Sequence, residues 1–203
     1  MGKTSDSDIT FSAVLLAGGE SRRMGRDKAA VVFQEEPLWR RQLRVLRDLG
    51  PEKVFVSART PSTWLPDHTE LLLDEPPSRG PLSGLTKALA EMQTTHLLVL
   101  AVDMPFVTRE QLQLLCGEAT EGCGVVPTIR ERAEPLAAVY PREAAPDFIA
   151  ALAGPDLSLQ PLVRKLAAAG KVKLWPVQDV DANLYRSVNE PGDFKEGRFE
   201  TAP

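Results

Sequence analysis

Short apolar runs alternate with helix-patterned segments along most of this 203-residue chain, and that alternation constrains the fold more than any other feature. Residues 12–17 (SAVLLA) read as a strand buried on both faces, stopping at Gly18-Gly19. "PLWRRQLRVLRDLG" then repeats Leu38, Trp39, Leu43, Leu46 and Leu49 at helical spacing and closes on Gly50. "KVFVSA" and "TELLLD" read as strands, "LSGLTKALAEM" as a helix, and "HLLVLAVD" as the most apolar strand. "TREQLQLLCGEA" follows as a helix, with Thr108 at the N-cap and Gln111 at the capping-box position.

Past residue 120 the rhythm weakens: "GVVPT" and "PLAAVY" predict strands, "AAPDFIAALA" and "SLQPLVRKLAAAG" helices, and "KVKLWPV" a late strand. Strand alternating with helix implies an α/β fold, a single Rossmann-like three-layer domain with a mostly parallel central sheet. The expected organisation is one domain over residues 11–195, between a flexible N-terminal segment (1–10) and a flexible C-terminal tail (196–203).

Composition narrows the class of function. A net charge of -4 argues against a general nucleic-acid surface, so any anion site must be local. Cys116 and Cys123 form no CxxC pair, and His68 and His96 stand outside any HExxH motif, which leaves thiols suited to a reducing compartment. No apolar stretch approaches the ~18 residues of a membrane span. The start, "MGKTSDSDITFSAV", lacks a signal peptide's apolar core, and Asp6 stands where myristoylation prefers Ser or Thr. These readings predict a cytoplasmic protein that binds neither membrane nor nucleic acid.

The local anion site is plain. Open α/β sheets bind ligands beyond the carboxyl ends of their strands, and there Gly18-Gly19 is followed by Arg22, Arg23, Arg26 and Lys28. Glycines let backbone N–H groups approach an oxyanion, and arginine forks match phosphate oxygens. The loop therefore reads as a polyphosphate holder. A Walker A loop is excluded, because Gly25 is followed by Arg26-Asp27-Lys28, and Gly18-Gly19-Glu20 does not open a GxGxxG fingerprint. Two carboxylates stand at further predicted strand ends. Asp74 precedes the glycine-containing "GPLSGL", where Gly80 and Gly84 open a helix, and a carboxylate there can accept from the N–H groups of a base. Asp103 ends the apolar run 97–102, a place for a magnesium ion shared with substrate phosphates.

"LAGGESRRMGRDKA" resembles the LAGGxSxRMGxDKA motif of the MobA-like nucleotidyltransferases, above all the molybdenum cofactor guanylyltransferases, which join GMP to molybdopterin. "GPLSGL", "AVDMP" and "EPLAAVYP" resemble later segments of the same family, so the resemblance runs over residues 12–194. It implies a nucleotide-diphospho-sugar transferase-like fold and a magnesium-dependent transfer of GMP from GTP. Leu16, Ala17, Gly18, Gly19, Lys28, Ser57, Asp74, Gly80 and Asp103 would then bind the nucleotide. Lys28, Arg22, Arg23 and Asp103 would serve catalysis, with Asp103 as the Mg2+ ligand, and Glu134 and Asn189 would face the acceptor. Contact with cofactor-delivery or acceptor proteins would be transient.

Two departures leave alternatives open. Ser57 stands where guanylyltransferases often carry an asparagine, and "YRSVNEPGDF" keeps only Asn189, Pro191 and Asp193 of a late FxNxNTPED segment. A related enzyme using CTP or another phosphorylated acceptor is one alternative. A catalytically idle nucleotide-binding or partner-docking protein is another, against which stand Lys28 and Asp103.

Overall fold

The computed structural model describes residues 9–18, 28–61, 64–67, 69–74 and 78–189. In chain order the elements are β1 (Phe11–Leu16), β2 (Val32–Phe33), β3 (Glu36–Pro37), α1 (Leu38–Arg47), β4 (Lys53–Ala58), β5 (Glu70–Leu73) and α2 (Pro81–Glu91). They continue with β6 (His96–Ala101), α3 (Arg109–Glu118), β7 (Gly124–Ile129), β8 (Arg132–Ala133), β9 (Ala137–Pro141), α4 (Ala145–Ala153), α5 (Leu159–Ala168) and β10 (Val172–Pro176).

The strands line up in the order β10-β7-β9-β6-β1-β4-β5, with β8 paired to β7 outside that path. β6, β1, β4 and β5 are mutually parallel, as are β7 and β10. Only β9, between β6 and β7, and the short β8 run the other way. The sheet is thus mostly parallel, as the alternation predicts. The reversal at β9 follows from a tight turn: β7 folds back into β8 through Arg130 and Glu131, both at positive φ, as a type I′ hairpin demands. Gln34 and Glu35 make the same kind of turn between β2 and β3.

Side chains alternate across the sheet and feed two cores. Ala13, Leu15, Val56, Leu98 and Leu100 pack with α1 and α3 residues such as Leu43, Leu46, Leu112 and Leu115. Val14, Phe55, Leu97 and Val99 face the opposite layer of α2, α4 and α5, with Leu85, Phe148 and Leu166. There Tyr140 and Phe148 meet edge to face, 5.0 Å between ring centroids. The cap expected on α3 is present: Thr108 Oγ1 accepts from the Gln111 backbone N–H at 3.3 Å. Among the described residues, no helix is long and apolar enough to cross a membrane, and both cysteines are free.

Candidate active site

The central strands end flush. Leu16 is paired with Ser57 on one side and Ala101 on the other, so the residues just beyond β1, β4, β5 and β6 share one edge of the sheet. Around them lies a cleft that opens to solvent. Its lining brings together Leu16, Gly18, Lys28, Ser57, Asp74, Gly80 and Asp103, residues spread over most of the sequence.

At the β6 end, Lys28 Nζ donates to Asp103 Oδ2 at 2.9 Å and to Asn189 Oδ1 at 2.9 Å. The Lys28 side chain is nearly buried, whereas Asp103 remains 26% exposed. A salt bridge across 75 residues requires the Asp103 turn to be held firmly, and three elements do so. The Val102 N–H donates to Leu16 O at 3.0 Å, and the Val188 N–H to Asp103 O at 2.8 Å. From α1, Gln42 Nε2 donates to Met104 O at 2.7 Å and Arg41 Nε to Pro105 O at 2.8 Å. Gln42 is fully buried, and a buried amide that grips a loop carbonyl fixes that loop.

At the β4–β5 end, Asp74 is oriented by two hydroxyls. Ser57 Oγ donates to its Oδ1 at 3.3 Å and Ser78 Oγ to its Oδ2 at 2.6 Å. The Asp74 N–H donates to Ala58 O at 3.0 Å, which continues the ladder one step past β5. Here α2 begins, behind Gly80 at φ +68°, ψ −151°, a conformation open essentially to glycine. Gly80 and Pro81 line the cleft, so α2 turns the positive end of its dipole toward whatever binds there. Gly84 lets the helix come close: a Cβ on it would lie 2.2 Å from Ser57 Oγ.

Three expected residues stand apart from this lining. Ala17 is buried and donates its N–H to Ser57 O at 2.8 Å, so it ties β1 to β4. Glu134 lies two residues before the lining residue Leu136; burial raises its carboxyl above the usual range, and Arg132 only partly opposes this. Asn189 meets the site through Lys28. Gly19, Arg22 and Arg23 fall outside the described residues, as do Arg26, Pro191 and Asp193.

Sequence reasoning did not single out Arg59, Pro81 and Leu136 in the lining, nor Gln42 and Arg41 behind it. Gln42 and Arg41 lie on a helix read only for its apolar face, and nothing in their spacing marks a hydrogen bond to a distant turn. Among the described residues, no group of three or more His, Cys, Asp or Glu side chains gathers in a metal-holding cluster.

The family description "MobA-like NTP transferase domain" matches residues 13–169. A probable molybdenum cofactor guanylyltransferase of Opitutus terrae is 35% identical over 186 residues, which covers 90% of this chain and 92% of that protein. Among solved structures, the molybdopterin-guanine dinucleotide biosynthesis protein A of Archaeoglobus fulgidus superposes with a TM-score of 0.72 at 24% identity, covering 91% of this chain and 95% of that one. The 2-C-methyl-D-erythritol 4-phosphate cytidylyltransferase of Thermus thermophilus superposes at 0.65 with 17% identity, covering 92% and 96% of the two chains. At these identities both superpositions speak for the fold alone.

Proposed function

The chain belongs to the MobA-like NTP-transferase family, and from that premise we propose that it transfers GMP from GTP to molybdopterin. Pyrophosphate is released, and the guanine dinucleotide form of the molybdenum cofactor is made. The observation that carries this reading is the 2.9 Å contact between Lys28 and Asp103 within a cleft at the carboxyl edge of the sheet. The Opitutus terrae relative supports the choice of reaction, since it aligns over nearly its whole length.

In the proposed reaction a terminal phosphate oxygen of the acceptor attacks the α-phosphorus of GTP. A new P–O bond forms as the α–β bridge breaks, and the electron pair leaves with pyrophosphate. The attacking oxygen is already anionic, so no general base is required. Lys28, with Arg22 or Arg23, stabilises the charge gathering on the leaving pyrophosphate. Leu16, Ala17, Gly18, Gly19 and Gly80 cradle the nucleotide, Ser57 and Asp74 face its base, and Glu134 and Asn189 face the acceptor.

Asp103 fits a magnesium site, being a partly exposed carboxylate in the cleft. Magnesium on a nucleotide commonly uses one or two carboxylates together with phosphates and water. When bound, the ion neutralises charge on the triphosphate. The remaining chemistry is positioning by Lys28 and by the network that fixes the Asp103 turn. Free Cys116 and Cys123 suit a cytoplasmic location.

The test is pyrophosphate release from GTP, CTP, ATP and UTP, each with and without molybdopterin. GTP turnover that depends on molybdopterin and magnesium is the expected result. Turnover with CTP in place of GTP would move the protein to a cytidylyl-transfer reaction. Binding of magnesium and GTP without turnover would make it a nucleotide-binding protein.

A further inference from the structure

The cleft has two chemically different ends. Lys28 and Asp103 stand beyond β1 and β6, while Ser57 and Asp74 stand at the ends of β4 and β5. A nucleotide laid along this edge with its triphosphate at Lys28 and Asp103 has its base over β4 and β5. Arg59 directly follows β4 and lines the cleft at that end. Its backbone nitrogen and Cγ lie 3.5 and 3.6 Å from where a side chain on Gly18 would begin, ordinary contact distances that set the arginine stem beside the end of β1.

We propose that Arg59 selects the base, donating from its guanidinium to O6 and N7 of guanine while Asp74 accepts from N1–H and the 2-amino group. The inference rests on the guanylyl-transfer reading for its choice of nucleotide. Three observations lead to it. Asp74 is the carboxylate at this end, and as an acceptor it reads only the donor groups of a base, which leaves O6 and N7 of guanine unread. Ser57 has a single hydroxyl proton, and it is given to Asp74, which leaves none for a base carbonyl. A further donor is then wanted for the guanine O6, and Arg59, a residue that carries a rigid fork of donors, lines the same end of the cleft.

The fit is specific. The paired acceptors O6 and N7 match a guanidinium bidentately, whereas adenine sets a donor beside its N7. Cytosine offers Asp74 one donor group where guanine offers two, so the pair Asp74–Arg59 favours guanine on both sides.

The test is equilibrium binding to the full chain, followed by pyrophosphate release. The nucleotides are GTP, 7-deaza-GTP (no N7), 6-thio-GTP (sulfur, a weak acceptor, in place of O6, with N1–H and the 2-amino group kept) and CTP; the proteins are wild type, Arg59→Ala and Arg59→Lys. Each purine analogue is expected to bind wild type about tenfold more weakly than GTP, and Arg59→Ala to bind all three purines alike within about twofold. Arg59→Lys keeps the charge without the fork and is expected to lose most of the discrimination, which supplies the readout should the alanine variant fold poorly. An Arg59→Ala protein that ranks the purines as wild type does would overturn the assignment. So would a loss falling equally on every nucleotide, because that describes a phosphate contact, and so would wild type binding CTP in preference to GTP. Wild type that binds GTP with the expected ranking but never turns it over would refute the transfer reaction and leave the role of Arg59 standing.

Discussion

Lys28 Nζ lies 2.9 Å from Asp103 Oδ2, and the same ammonium group reaches Asn189 Oδ1 at equal distance, so one cation joins three distant parts of the chain. Because the two charges meet inside the cleft, removing either should disable the same step. Lys28→Ala and Asp103→Ala are each expected to lower kcat/KM by about 100-fold or more, with far-UV circular dichroism unchanged. The double variant should be little worse than the singles, as groups acting as a unit are not additive. Wild-type pyrophosphate release by either single variant would reject the assignment.

A Cβ on Gly84 would sit 2.2 Å from Ser57 Oγ, 2.9 Å from Ser57 Cβ and 3.1 Å from Leu16 Cδ2. The obstacle is a strand-end side chain on a rigid sheet, so α2 must move outward. Gly84→Ala is expected to cost about 1–3 kcal/mol of stability through overpacking. Nucleotide binding should weaken as well, since Gly80 and Asp74 share the displaced end. Replacing Ser57 by glycine in the same chain should recover much of the lost melting temperature. Failure of that rescue would show that the crowding lies elsewhere.

The legibility of this protein differs by physical scale. Strands β1, β4 and β6 are readable because both faces are buried, which leaves near-continuous apolar runs ending at Leu16, Ala58 and Ala101. The convergence of Gly18, Lys28, Asp74 and Asp103 follows from that reading, because parallel strands put their carboxyl ends on one edge. The ribbon of β2 and β3 and the short β8 were not readable. Their turns carry Gln34-Glu35 and Arg130-Glu131 where Asn-Gly or Asp-Gly would have signalled a hairpin. The supporting contacts were equally silent, because Gln42 reaches Met104, 62 positions further along the chain, only once the intervening segment has folded.

Gln42 offers a test of that hidden layer. Its Nε2 supplies the Met104 carbonyl and, at 3.4 Å, the Ala101 carbonyl, the two that bracket Asp103. Gln42→Met keeps the volume and removes the donor, so it is expected to cost about 0.5–1.5 kcal/mol, the two carbonyls keeping the Met104 and Val107 N–H groups as partners. Turnover should drop further than this loss of folded protein accounts for, because the Asp103 turn loosens. A destabilised variant with unchanged kcat would restrict Gln42 to the core. Denaturant titration and steady-state kinetics on the same preparation separate the two outcomes.

His96 sets the response to acid. Its ring is fully buried at the first residue of β6, with Nδ1 3.0 Å from Thr95 Oγ1 and Nε2 3.1 Å from Thr120 O, and it packs against Phe11. Burial holds its pKa below the ordinary histidine value, and backbone hydrogen bonding at Cys123 and Thr120 and the Glu143 charge offset this only in part. The folded state therefore binds the proton more weakly than the unfolded chain does. Stability is complete above the unfolded value of about 6.5 and declines as pH falls through the lower folded value. Asp147, held below the usual carboxylate range chiefly by Lys171, adds its own loss only in stronger acid. Melting temperatures of wild type are thus expected to fall between pH 7.5 and 5.5, and His96→Gln should flatten that slope even if it lowers stability at neutral pH. An equal slope in the two proteins would assign the acid response to other groups.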